Sequence, residues 1–327
     1  MKTRSQSTSR WCVIAAVVVA LVAASACAAR SPDGDAYPRR PIQVVVPYPA
    51  GSGIDTTTRA LADVINDSGD LGQDLQIVNR DGGGGTVGTT DVLNAKPDGY
   101  TIGVVPDGPL TLVPQTEKVA YDPTSATYIN EILTSPILFV VPGDSKLKTL
   151  QDLVEAAKAE PGSVTIAEGP LNYKVPADQF EQQTDVDLKH VEFEGDQATT
   201  TALLGRNVDV GVMQLASALP QLKSGKIRAL GVTSADPVDL VPDVPTFASQ
   251  RIDIVWQAFN VVVAPGKLPD PIEKKLTETF AEAVASDEFA EAAEKLGLIV
   301  SGATPQETDE HLTDKTKTAA GILGGGE

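Results

Sequence analysis

The chain has 327 residues, 42% of them hydrophobic, with 44 acidic against 26 basic side chains and a formal charge of −18. That is material for one large domain or two of ordinary size, and so acidic a surface excludes nucleic acid as a partner. A small anionic ligand is not excluded, because backbone N–H groups and helix N-termini bind anions whatever the net charge. At the N-terminus, Lys2, Arg4 and Arg10 precede an apolar run from Trp11 to Ala24 that ends in Ala24-Ser25-Ala26. This is the layout of a secretory signal peptide over residues 1–26. The run is shorter than the about 20 apolar residues of a spanning helix.

Cys12 falls inside the run, so cleavage leaves Cys27 as the sole thiol and no intramolecular disulfide can form. Val22-Ala23-Ala24-Ser25-Ala26-Cys27 resembles a bacterial lipobox, with Ala24 where that pattern prefers Leu. The resemblance implies a lipid on Cys27, a tether over residues 27–36, and a chain anchored to the outer face of the cell membrane. The alternative is an ordinary small-residue cleavage site with Cys27 incidental.

Beyond the tether, short apolar runs alternate with helical spacing. The pattern predicts strands at Ile42 to Val46, Leu75 to Val78 and Thr101 to Val105, with helices at Thr56 to Ile65 and Thr89 to Ala95. The second half predicts strands at Ile137 to Val141, Val164 to Ala167, Leu188 to Phe193, Val208 to Val212, Ala229 to Thr233 and Asn260 to Ala264. Its helices are Leu150 to Ala159, Pro176 to Gln183, Ala198 to Leu204, Ala216 to Lys223, Pro271 to Ser286 and Asp287 to Leu296, and Leu323 to Glu327 reads as a frayed tail. Strand, loop and helix repeated in this way predict parallel sheets with covering helices. Some nine strands, with extended segments at Leu138 to Pro142 and Val255 to Pro265 as crossovers, give two α/β lobes. Lobe 1 is expected over residues 37–137 and 258–327, and lobe 2 over 138–257.

In such sheets ligands bind beyond the carboxyl ends of the strands. Pro47 to Asp55 (PYPAGSGID) is a glycine-bearing strand-to-helix loop, read either as a carboxylate cradle at a helix N-terminus or as a plain turn with Asp55 as N-cap. Gly83, Gly85 and Gly88 spell G-x-G-x-x-G, but after the second strand and with no acidic residue ending a following strand, so close helix–sheet packing is the better reading than a dinucleotide site. His190 reads as a strand residue and His311 as solvated on a polar C-terminal helix; neither has a metal-ligand neighbour at the right spacing. With no G-x-S-x-G elbow, no catalytic constellation emerges and no cofactor or metal is implied.

The segments IQVVVPYPAGSGIDTTTR (42–59), VNRDGGGGTVG (78–88), PDGYTI (97–102), HVEFEG (190–195), SGKIRALGVTS (224–234), PDVPT (242–246) and APGKLP (264–269) occur in this order. Together with Tyr121-Asp122-Pro123 and Trp256 they resemble the substrate-binding proteins of tripartite tricarboxylate transporters, the Bug or TctC family, over essentially the whole cleaved chain. The resemblance implies an α/β, two-lobed periplasmic-binding-protein fold of the type II, Venus-flytrap kind. It implies a monomer that captures a small organic acid for membrane permease subunits without altering it. The alternatives are a sensor feeding a signalling kinase and an α/β hydrolytic enzyme.

Carried over position by position, the implied ligand-binding residues of the first lobe are Tyr48, Ala50, Gly51, Ser52, Gly53, Asp55, Asp107 and Gly108. Those of the second are Gly169, Asn172, Tyr173, Lys174, Gly195 and Ala198. The sequence departs from the family in two places. The G-S-S-G-like loop is replaced by Glu168-Gly169-Pro170-Leu171, which loses an N–H at Pro170 and adds a charge. The family's H-V-P-Y-K-G becomes HVEFEG, with Glu192 and Glu194. Lys174 or Tyr173 could restore the clamp, the ligand could carry a cationic or neutral group there, or both side chains are surface packing. Trp256 is expected to pack beside a crossover.

Overall fold

The computed structural model describes residues 37–324; the signal segment, Cys27, the tether and residues 325–327 lie outside the described residues. Among the described residues no helix is long and apolar enough to cross a membrane. The strands are β1 (Ile42–Val46), β2 (Leu75–Asn79), β3 (Thr101–Pro106), β4 (Thr127–Pro142), β5 (Thr165–Glu168), β6 (Lys189–Glu192), β7 (Val210–Gln214), β8 (Ile227–Val232), β9 (Gln257–Ala264) and β10 (Ile299–Val300). The helices are α1 (Gly53–Ser68), α2 (Thr86–Leu93), α3 (Asp107–Thr111), α4 (Val113–Thr116), α5 (Leu150–Ala159), α6 (Leu171–Thr184), α7 (Asp196–Leu204), α8 (Leu215–Lys223), α9 (Asp270–Val284), α10 (Asp287–Lys295) and α11 (Pro305–Leu323).

The fold is two-lobed α/β. In one lobe β1 lies parallel between β2 and β3, and β9 runs antiparallel beside β3. In the other, β5 lies parallel between β6 and β7. The 16-residue β4 belongs to both: its first part pairs with β9 and β10, its last part with β7 and β8, all antiparallel. The expectation of all-parallel strands is therefore corrected. A chain that passes from one lobe to the other and returns must run both ways at the junction, so β4 and β9 oppose each other. Only the end of β4 was legible because Tyr128, Asn130, Glu131 and Thr134 interrupt its apolar pattern.

Each lobe has its own core. Ile42, Val44, Ile102, Val104, Leu61 and Ile65 are buried together in the first, and the α1 residues Leu61 and Ile65 stand one helical turn apart on its inner face. In the second, Phe139, Phe180 and Phe247 pack ring against ring at 5.0 to 6.3 Å between centroids. Truncating any one of them to Ala should cost about 3–5 kcal/mol.

Helix α11 does not end as a polar surface helix. Leu312 joins a first-lobe cluster with Val45, Val105 and Phe259, while Ala319 is buried with the second-lobe cluster and Ile322 and Leu323 pack against it. It thus straddles the junction, and Leu323 belongs to the helix rather than to a frayed tail. His311 is half-exposed but not merely solvated, since its Nδ1 lies 2.8 Å from the buried Glu131 carboxylate. At the junction itself, the Thr233 hydroxyl receives the Ile137 N–H at 3.1 Å and bonds the carbonyls of Ile137 and Trp256, stapling the two crossovers together.

Candidate functional site

Register fixes which sheet edges face each other. Pro136 pairs with Gln257 and Ile137 with Gln214, so the last residue of β7 stands at the junction; Pro106, the last of β3, pairs with Asn260 only three residues from Gln257. The carboxyl ends of the parallel strands of both lobes therefore point toward one interlobe cleft. The loops after β1, β2 and β3 stand at those ends in one lobe, and the N-termini of α6, α7 and α8 follow β5, β6 and β7 in the other. Contact across it is direct: the Asn172 Nδ2 group at the start of α6 lies 3.5 Å from both oxygens of Asp107 at the start of α3.

On the first lobe, Ser52 rather than Asp55 caps α1, its Oγ accepting the Asp55 N–H at 3.4 Å. Asp55 sits in the first turn, buried, and its carboxylate turns back on the loop. It accepts the Gly51 N–H at 2.8 Å, Arg59 Nε and Nη2 at 3.0 and 2.9 Å, and Asn79 Nδ2 at 2.8 Å. Asn79 also donates to the Tyr48 carbonyl at 3.0 Å. Burial alone would push the Asp55 carboxyl up, but the Arg59, Gly51 and Asn79 donors outweigh it and hold the pKa at about 2. Asp55 thus shapes the loop, leaving Pro49, Ala50, Gly51 and Gly53 exposed beside the first turn of α1, where backbone N–H groups lack intrahelical acceptors.

The glycine run folds as a tight turn into α2. Gly85, at φ 98°, lies between Tyr48 and Pro109, where a Cβ would come within 2.9 Å of Pro109 and 3.2 Å of the Tyr48 ring. The Tyr48 hydroxyl donates to the Gly84 carbonyl at 3.0 Å. The glycines are used for close packing of the three loops, in keeping with the packing reading of G-x-G-x-x-G.

On the second lobe α6 begins at Leu171, five residues before the expected Pro176. Pro176 has no N–H for the Asn172 carbonyl one turn earlier, and that carbonyl accepts the Trp256 indole N–H at 2.9 Å instead. A Cβ on Gly169 would come within 2.9 Å of the Tyr173 ring. Tyr173 is buried, with its hydroxyl against the Asp196 carboxylate; burial, then Asp196, push the phenol pKa up. Gly195, at φ 88°, caps α7, and Ala198 lies half-buried in its first turn. The Lys174 ammonium is engaged within its own lobe, 2.9 Å from Asp178 and 3.9 Å from Glu168.

The Glu168 charge is balanced inside the second lobe by a partner that sequence reasoning missed. His190 bonds Glu168 through Nδ1 at 2.9 Å and Glu181 through Nε2 at 2.8 Å, and these two bonds raise its pKa to about 10. The signal was parity: Ile166 pairs with His190 on parallel strands, so Glu168 and His190 share a sheet face. Glu168, Asp178 and His190 gather at metal-ligand range, but Lys174 and the protonated imidazole already supply the positive charge. Also missed were Asn79, Asp196, Ser217 and Lys315.

Residues 58–324 match the model of the tripartite tricarboxylate transporter family receptor, TctC. The chain is 30% identical to the protein BugT of Bordetella pertussis over 315 residues, covering 94% of this chain and 95% of that one. Among solved structures it resembles a TctC solute-binding protein from Polaromonas, with a TM-score of 0.80 and 25% identity over 88% of this chain and 99% of that one. It also resembles MatC from Rhodopseudomonas palustris, solved with bound malate, with a TM-score of 0.71 and 25% identity over 88% of this chain and 100% of that one. The chain belongs to the TctC family of tripartite tricarboxylate transporter receptors.

Proposed function

We propose that this solute-binding protein captures a small carboxylate between its lobes and delivers it, chemically unchanged, to the membrane subunits of a tripartite transporter. The observation that carries the reading is the apposition of two sets of strand carboxyl ends, with Asn172 reaching Asp107 across the cleft. The exposed turn beside the N-terminus of α1 offers the N–H groups of Ala50 and Gly53 to the carboxylate, that of Gly51 being held by Asp55. Tyr48, Ser52, Asp55 and Gly108 frame that turn, and Gly169, Asn172, Tyr173, Gly195 and Ala198 frame the opposite wall. Malate in MatC supports the ligand class.

In this reading the lobes, meeting near residues 137–138 and 257–258, rock about the Thr233 staple, and a ligand touching both biases them toward closure. Lipidation at Cys27 tethers the monomer to the outer face of the membrane. The test is a thermal-shift and calorimetric screen of the purified protein against mono-, di- and tricarboxylates, malate included. At about 100 times Kd a true ligand raises Tm by about 5 °C or more. If no carboxylate of the series raises Tm or gives a binding isotherm, the reading fails.

A further inference from the structure

At the junction, on residues apart from those that frame the carboxylate cleft, the surface holds an open groove of about 440 Å³. It is lined by Thr134 and Gln257 of the crossover strands β4 and β9, by α10 and β10 of the first lobe, and by residues 234–240, which follow β8 in the second. Strand β10 itself bridges the lobes: Ile299 packs against the second-lobe cluster that contains Val238, while Leu298 and Val300 pack against the first-lobe core. A molecule seated in the groove therefore touches both lobes at once.

The lining narrows what fits. Leu240, Leu298, Ile299 and Val300 are only half-buried there. Leu296, the C-cap of α10 and two residues from the lining Glu294 and Leu298, is 36% exposed, which few large apolar side chains of this protein are. Contiguous apolar surface of this kind marks an interaction site rather than ordinary solvent-facing surface. The charged side chains of the groove are Asp236, Asp239 and Glu294, all exposed, with no basic residue in the lining. Among the described residues none of the three is in an ion pair, whereas Glu291 on the same helix holds Lys295. The occupant must bring positive charge and apolar surface together. An anionic lipid surface is repelled by these carboxylates, and a second copy would bring the same formal charge of −18. A small solute is held in a cavity that encloses most of its surface, which an open groove does not do.

We propose that this groove docks a protein segment in which Lys or Arg stands among apolar side chains. The apolar side chains enter beside Leu240 and Ile299, and the cations meet Asp236, Asp239 and Glu294 at the rim. Because the lining comes from both lobes, the partner fits one interlobe arrangement and favours it. The groove shares no residue with the cleft, so the proposal stands or falls independently of which carboxylate binds there.

The test is calorimetry of the purified protein, near physiological ionic strength, against short blocked peptides of matched length and spacing: Leu with Lys, Leu with Glu, and Ser with Lys. The Leu–Lys peptide should bind roughly 10-fold or more tightly than either of the others. Asp236→Asn/Asp239→Asn/Glu294→Gln should weaken it roughly 10-fold while leaving Tm unchanged or raised. Glu117→Gln/Glu155→Gln/Glu160→Gln, which removes as many exposed charges outside the groove, should leave it unchanged. Leu296→Ser, at an exposed position, should weaken the Leu–Lys peptide and not the Ser–Lys one. The proposal is overturned if the Leu–Lys peptide does not bind, if the Ser–Lys peptide binds as tightly, or if the two triple variants weaken binding alike, since peptides would then read overall acidity and not the groove. Binding to phosphatidylcholine–phosphatidylglycerol vesicles that the groove variant abolishes, or a dimer in sedimentation that it dissolves, would overturn it in favour of a membrane or a second copy.

Discussion

Asp107 on the first lobe and Lys315 on the C-terminal helix form an ion pair sealed from solvent, their side chains 0% and 5% exposed. The Lys315 ammonium also donates to the Gln257 carbonyl and stands 4.3 Å from the Trp256 ring centroid. Asp107 accepts the Phe259 N–H at 3.1 Å and is approached by Asn172. Four chain segments from both lobes thus converge on one pair of charges. Burial pulls the Lys315 pKa down and Asp107 opposes it.

Lys315→Met should therefore cost about 3–5 kcal/mol, because it leaves the Asp107 carboxylate buried and unmatched. Adding Asp107→Asn to that variant should recover a large part of the loss, and urea denaturation of the four proteins of the cycle gives the coupling directly. Additive losses would show that the two side chains act independently.

Asp55 gives a prediction at acid pH. Its pKa falls from an ordinary 3.8 to about 2 on folding, so its contribution is present above about 4 and lost as pH falls through about 2. Asp55→Asn keeps the shape but loses the charged bonds to Arg59, which is itself half-exposed, so the stability loss at neutral pH should be about 1–2 kcal/mol. Denaturation midpoints of wild type and variant should converge between pH 4 and pH 2. Parallel curves across that range would remove Asp55 as the source.

His190 has the opposite sign. Its pKa rises from an ordinary 6.5 to about 10, so its stabilisation is fully present below 6.5 and is lost as pH climbs through about 10. The gap in midpoint between wild type and His190→Gln should be widest near pH 6 and close toward pH 10. A gap that is flat with pH would mean the imidazole is held by packing rather than by its charge.

Much of this arrangement was legible in the chain and some was not, for identifiable reasons. Short-range patterns carried well: the strand at Ile42 to Val46 and the parallel β1/β2 and β5/β6 pairs follow from apolar runs and intervening helices. Pairings over long separations did not. The Glu131 N–H donating to the Thr308 hydroxyl, or Lys315 reaching Asp107, depends on α11 returning across the junction, and a polar helix gives no sign of its docking face. At the candidate site the loop after β1 announced itself through its glycines, whereas Asp196 looked like one more acid in an acidic chain. Its distinction lies in the neutrality of its neighbours, which only the fold assembles.

Two glycines near the same loop separate packing from contact with ligand. A Cβ on Gly88 would meet the Arg80 carbonyl at 2.7 Å and the Pro47 Cα at 2.8 Å, both backbone atoms that cannot step aside cheaply. Gly88→Ala should push the Pro47 loop outward, costing about 1–3 kcal/mol and weakening ligand binding without touching the ligand. At Gly53 a Cβ meets nothing within 4 Å and the backbone is not in the left-handed region. Gly53→Ala should therefore leave stability unchanged or slightly raised, since Ala suits a helix better than Gly. Against that background, a loss of affinity in Gly53→Ala alone, measured by calorimetry with whichever carboxylate binds, would place the ligand against the first turn of α1. Undiminished affinity would move the carboxylate away from that turn, toward Tyr48 and Gly108.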